Sequence, residues 1–131
     1  MDLHLHLLNS EKDNSTRLVN GRIGIIFTSD RDSDKAVAAL LNAPVEQTGW
    51  LFMEEDYPGS DQEIDRYAKN AAAEIQRQSA GVDDIAIVGS QIGLLIAVAC
   101  QLFPEHREKL YRIKGDYIKV SDSSVITASI K

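Results

Sequence analysis

The sequence predicts a three-layer α/β/α sandwich around a mainly parallel sheet, on three observations. Short apolar runs at Ile23–Thr28, Trp50–Met53 and Ile85–Val88 alternate with longer stretches of helical periodicity. Alternation of this kind implies parallel crossovers, with helices on both faces of one sheet. The stretch from Ile92 to Phe103 is apolar apart from Gly93 and Gln101, as a helix buried between other elements must be. Further strand patterns at the two chain termini add antiparallel strands at the sheet's ends.

Leu3, Leu5 and Leu7 alternate with Asp2, His4 and His6, the pattern of a half-buried strand. His4 and His6 then share the opposite face. Two histidines at i, i+2 could ligate a metal, but no third ligand stands nearby, so a solvated strand face is expected. Residues 9 to 16 form a polar loop. Arg17 to Val19 can add a short strand before the Asn20-Gly21 turn.

The strand Ile23–Thr28 leads into SDRDSDK, where Asp32, Ser33 or Asp34 can cap a helix reaching Leu41. Ala36, Val37, Leu40 and Leu41 supply its apolar stripe, and Asn42 and Pro44 end it. After the strand Trp50–Met53 comes a turn-rich loop, residues 54 to 61. Asp61 then caps a long helix with Ile64, Tyr67, Ala68, Ala71, Ala72 and Ile75 on its buried face and Gly81 as its C-cap. The strand Ile85–Val88 feeds the helix Gln91–Phe103 through Gly89. Leu110 to Ile113, Tyr117 to Val120 and Val125 to Ile130 read as three more strands, the last two joined by a turn at Ser121 to Ser124.

The 131 residues fit one domain, and 44% hydrophobic content is enough for a core. Basic residues number 14 and acidic residues 20, a formal charge of −6. That sign argues against a nucleic-acid partner, which needs a basic face. The single cysteine, Cys100, falls in the apolar run and is expected to be a buried thiol rather than half of a disulfide. The acidic start lacks the basic region of a signal peptide. The longest apolar run falls short of the roughly 20 residues a membrane span needs. A soluble cytoplasmic protein follows as the expectation.

The clearest candidate site is the crevice at the ends of the predicted parallel strands. Thr28, Ser29, Asp30, Ser90 and Gln91 would line it as ligand-binding residues. Amides at a helix start in such a crevice bind anions or nucleotides. The glycines at 89 and 93 do not make a dinucleotide fingerprint, and no phosphate-loop lysine motif is present. Asp30, Asp32 and Asp34 alternate like half of a calcium loop but lack its glycine and distal glutamate. They read as an acidic, solvated helix start. Glu54, Glu55 and Asp56 read as a charged loop. No metal and no cofactor is expected.

Val88-Gly89-Ser90-Gln91-Ile92-Gly93 resembles the nucleophile elbow of the α/β-hydrolase family, where a serine stands between two such glycines. WLFMEEDYPGSD, residues 50 to 61, resembles that family's strand and Asp-x-Pro-Gly loop. Residues 23 to 29 resemble the strand leading to its oxyanion loop. The resemblance covers about residues 17 to 114 and implies a reduced hydrolase scaffold. The nucleophile position holds Gln91, whose amide cannot attack an acyl carbon. Ser90, one position early, suits a helix cap. No histidine follows residue 110, so the resemblance supplies no triad. A non-catalytic small-molecule or protein-binding module that self-associates through an uncovered sheet edge is therefore the leading expectation. The alternatives are a small esterase or thioesterase using Ser90 or Ser29, and a Rossmann-like nucleotide or anion sensor.

Overall fold

A computed structural model of the chain describes residues 3–11, 16–17, 19, 22–28, 31–41, 43–47, 61–89 and 92–128. Six strands form one sheet: β1 (His4–Asn9), β2 (Ile25–Thr28), β3 (Val45–Gln47), β4 (Asp84–Gly89), β5 (Tyr117–Val120) and β6 (Val125–Ala128). Their spatial order is β3-β2-β4-β1-β5-β6. The first four in that order run parallel, and β5 and β6 are antiparallel additions along one edge. The helices are α1 (Asp32–Ala39), α2 (Asp61–Gln78), α3 (Ile92–Leu102) and α4 (Arg107–Arg112), with a short 3₁₀ turn at Pro104–His106. The expected three-layer sandwich is present.

The N-terminal strand is not a sheet end. β1 lies between β4 and β5 and pairs with both, residue for residue from His4↔Asp84 to Asn9↔Gly89 on its parallel side. A central strand is covered on both faces. On one face, Leu5 and Leu7 join Phe27, Ile85, Ile87, Ile118 and the apolar stripes of α2 and α3. On the other, Leu8 joins Ile26, Ala86, Val88 and Tyr117 beneath Val37 and Ala38 of α1. The second face also takes His6, which is wholly buried, and His4, which is half-buried. The expected solvated histidine face is thus corrected. Alternation alone does not reveal that a neighbouring strand and a helix close over the polar side of a strand.

The α2 stripe is as expected, with Ala68, Ala71, Ala72 and Ile75 buried. Its small side chains let α2 pack on α3, whose Leu94, Leu95, Ala97 and Val98 are buried in turn. Gly81 takes φ +83° just beyond α2, the left-handed value that a helix stop favours. Four local expectations change. The N-cap of α1 is Arg31, not Asp32, Ser33 or Asp34. The strand after α1 is Val45–Gln47, while the predicted strand Trp50–Met53 lies outside the described residues. Arg17 belongs to a 3₁₀ turn rather than to a strand. Leu110 to Arg112 are helical, not extended. Leu110 is buried while Tyr111 and Arg112 are exposed, and Arg112 approaches Glu108 at 3.8 Å, one turn earlier.

Candidate functional site at the carboxyl edge of the parallel strands

Parallel pairing brings the carboxyl ends of β1, β2 and β4 to one edge, because Asn9 stands opposite Gly89 and Thr28 opposite Val88. The chain leaves β1 in a defined way. Ser10 N–H donates to the Gly89 carbonyl at 2.9 Å, extending the ladder by one residue. The Asn9 side-chain oxygen accepts the Glu11 N–H at 3.0 Å, an Asx turn that bends the backbone away from the sheet. Ser10 Oγ then donates to Asp34 Oδ1 at 2.5 Å. The serine is 7% exposed and the aspartate 1%. Asp34 sits in the first turn of α1, so this bond joins the end of the central strand to the start of the helix that covers it. Backbone N–H groups at a helix start face outward along the axis, and α1 places its start here.

Of the expected site residues, Thr28 stands at this edge, fully buried, with its hydroxyl donating to the Val88 carbonyl at 3.3 Å. Ser29, Asp30, Ser90 and Gln91 lie outside the described residues. The pair that the fold does bring together, Ser10 and Asp34, is absent from the sequence reading. Asp34 carried a usable signal. It precedes Val37, Ala38 and Leu41 by three, four and seven positions, so it belongs to the buried stripe of α1. Ser10 carried none, because its meaning depends on where α1 docks.

The three histidines stand elsewhere. His6 lies midway along β1, with Nδ1 2.7 Å from the Tyr117 hydroxyl and Nε2 3.1 Å from Asp84 Oδ1. Burial holds its pKa below the usual value, against the opposing pull of Asp84. His4 lies two residues nearer the amino edge of the sheet than His6 does. His106 lies at that same opposite edge, 2.8 Å from the carbonyl of Ser121, which follows the end of β5. No histidine is therefore within reach of Ser10, and a Ser-His-Asp arrangement is not formed there. Among the described residues no group of three side chains could hold a metal ion, and no helix is long and apolar enough to cross a membrane.

The fold is similar to that of two solved structures. One similar structure, from Escherichia coli K-12, is that of a protein proposed to be an α-ribazole-5′-P phosphatase. The TM-score is 0.65 at 11% identity, over 98% of this chain and 99% of that one. A second is phosphoglycerate mutase from Plasmodium falciparum, with TM-score 0.56 at 12% identity over 96% and 88% of the two chains. No protein-family model matches the sequence. No curated protein matches it either.

These likenesses overturn the α/β-hydrolase resemblance. Gly89 does close β4 and α3 does follow at once, but a strand, a glycine and a buried helix recur in any parallel sheet. A Cβ added to Gly89 would meet Leu95 Cδ2 at 3.3 Å, so that glycine serves close strand–helix packing. The leading expectation of a non-catalytic hydrolase-like binding module, with its esterase and sensor alternatives, is corrected with the resemblance, since the similar structures are described as a phosphoglycerate mutase and a proposed α-ribazole-5′-P phosphatase.

Proposed function

We propose that this chain transfers or hydrolyses the phosphoryl group of a small phosphate ester at the carboxyl edge of β1, β2 and β4. The observation that carries the reading is the 2.5 Å hydrogen bond from Ser10 to the buried Asp34 at the end of the central strand. The similar folds support the substrate class, since one is described as a phosphoglycerate mutase and the other as a proposed α-ribazole-5′-P phosphatase. In this reading Ser10 Oγ attacks phosphorus while Asp34 takes the hydroxyl proton. The ester P–O bond breaks, and the proton passes through Asp34 to the departing alcohol. Water then attacks the phosphoserine, Asp34 takes its proton, and inorganic phosphate leaves as Ser10 regains a hydrogen. The start of α1 supplies amide donors for the phosphoryl oxygens, and Arg31 puts a guanidinium-bearing residue at the same end. Thr28 holds the end of β2 in place, and Ser29, Asp30, Ser90 and Gln91, outside the described residues, are kept as candidate ligand-binding residues. The acidic composition and single cysteine favour a cytoplasmic setting.

The test is phosphate release from p-nitrophenyl phosphate, phosphoglycerate and ribose 5-phosphate by wild type and Ser10→Ala. Wild type should release phosphate from at least one ester, and Ser10→Ala, folded by circular dichroism, should not. A chain inert towards all three, or a Ser10→Ala variant as active as wild type, would overturn the reading. The same substitution leaves a buried carboxylate short of one donor. It should lower unfolding stability by about 1–3 kcal/mol in urea denaturation.

A further inference from the structure

The row Asp84–His6–Tyr117, buried at His6 and Tyr117 and half-buried at Asp84, does not belong to that edge and has its own logic. A carboxylate offers only acceptors, so the His6 nitrogen facing Asp84 Oδ1, Nε2, carries the ring hydrogen in the neutral imidazole. Nδ1 is then the acceptor, and the Tyr117 hydroxyl donates to it at 2.7 Å. The two rings also stack, with centroids 5.8 Å apart and planes 21° from parallel. His6 is 0% exposed and Tyr117 4%. Tyr117 opens β5, pairs with Leu8 of β1 and is followed through β5 by the pairs Ile118↔Leu7, Lys119↔His6 and Val120↔Leu5. These pairs hold the β5–β6 hairpin to the sheet.

We propose that His6 is an acid-sensitive latch, whose protonation places a charge between β1 and β5, turns Nδ1 from acceptor to donor so that the Tyr117 hydroxyl must redirect its hydrogen and accept instead, and thereby loosens the β5–β6 hairpin from β1. The groups facing the ring are Asp84 from β4, Tyr117 and Lys119 from β5 and His4 from β1 itself. Asp34, from α1, covers the same face but is engaged with Ser10. Asp84 favours the imidazolium. Burial, Lys119 and His4 oppose it, and burial is the largest influence. The folded state therefore resists a proton that the opened state accepts. Stability from this row is whole above the ordinary histidine value of 6.5 and is lost as pH falls below it.

Two measurements on the full chain test the latch. Nitrogen-15 imidazole shifts at pH 7.5 should show His6 neutral with its hydrogen on Nε2. An imidazolium, or a hydrogen on Nδ1, would overturn the proposal even if no variant folds. Amide hydrogen exchange, corrected for intrinsic rates, should show the opening of Ile118 and Val120 rising between pH 7 and 5, by up to about tenfold per pH unit, the limit for one proton. Ile85 and Ile87 should change less. His6→Gln should flatten the rise while His4→Gln and His106→Gln preserve it. An equal rise in His6→Gln, or a rise shared by β4 and β5 alike, would contradict a local latch at His6.

Discussion

Ser10, Asp34 and His6 show what a single position reveals before the fold is known. Asp34 repeats the spacing of Val37, Ala38 and Leu41, so its burial was legible. It reads as solvated only when grouped with Asp30 and Asp32 as an acidic cluster, and Asp32 is indeed exposed. His6 was not legible, because a polar residue alternating with leucines marks a wet face unless another layer covers it. The glycines divide in the same way. A Cβ on Gly24 would stand 2.5 Å from Val82 Cγ1, closer than atoms pack, whereas Gly93 is an exposed position near the start of α3. Gly24→Ala should cost about 1–3 kcal/mol as an overpacking change. Gly93→Ala should be neutral or stabilise by up to about 1 kcal/mol, as alanine does in a helix. Thermal unfolding of the two variants measures both; equal shifts would contradict the packing described at Gly24.

Elements were most legible where periodicity was long. α2, α3 and β4 carry an unbroken pattern and stand within a few residues of where the sequence puts them. α4 was not, because Leu110-Tyr111-Arg112-Ile113 is too short to separate a strand from a helical turn by apolar content. Its identity follows from Leu110 alone entering the core while its neighbours face water. Leu110→Ala should therefore destabilise by about 2–5 kcal/mol. Arg112→Ala, which removes only an exposed pair with Glu108, should change stability by less than about 0.5 kcal/mol. Urea midpoints decide. A large loss at Arg112, or none at Leu110, would contradict the helical face assigned here.

At the scale of the molecule, the layer architecture was readable from strand–helix alternation, but the order of strands was not. Nothing local tells that the first strand of the chain inserts between the fourth and fifth, since that depends on pairings separated by some eighty and more than a hundred residues. The glycine pattern at residues 89 and 93 suggested one family of parallel-sheet proteins, whereas the whole fold is similar to solved structures described otherwise. Moving β1 to the centre also moves the candidate chemistry. The proposed site lies where β1 ends and α1 begins, beside Gly89 at the end of β4. The most direct test is the steady-state turnover of Asp34→Asn against wild type on whichever phosphate ester wild type cleaves fastest. If Asp34 is the base beside Ser10, kcat falls by about 10²–10⁴-fold with KM little changed. If kcat stays within a few-fold of wild type, the carboxyl edge of β1 is not where this protein does its chemistry.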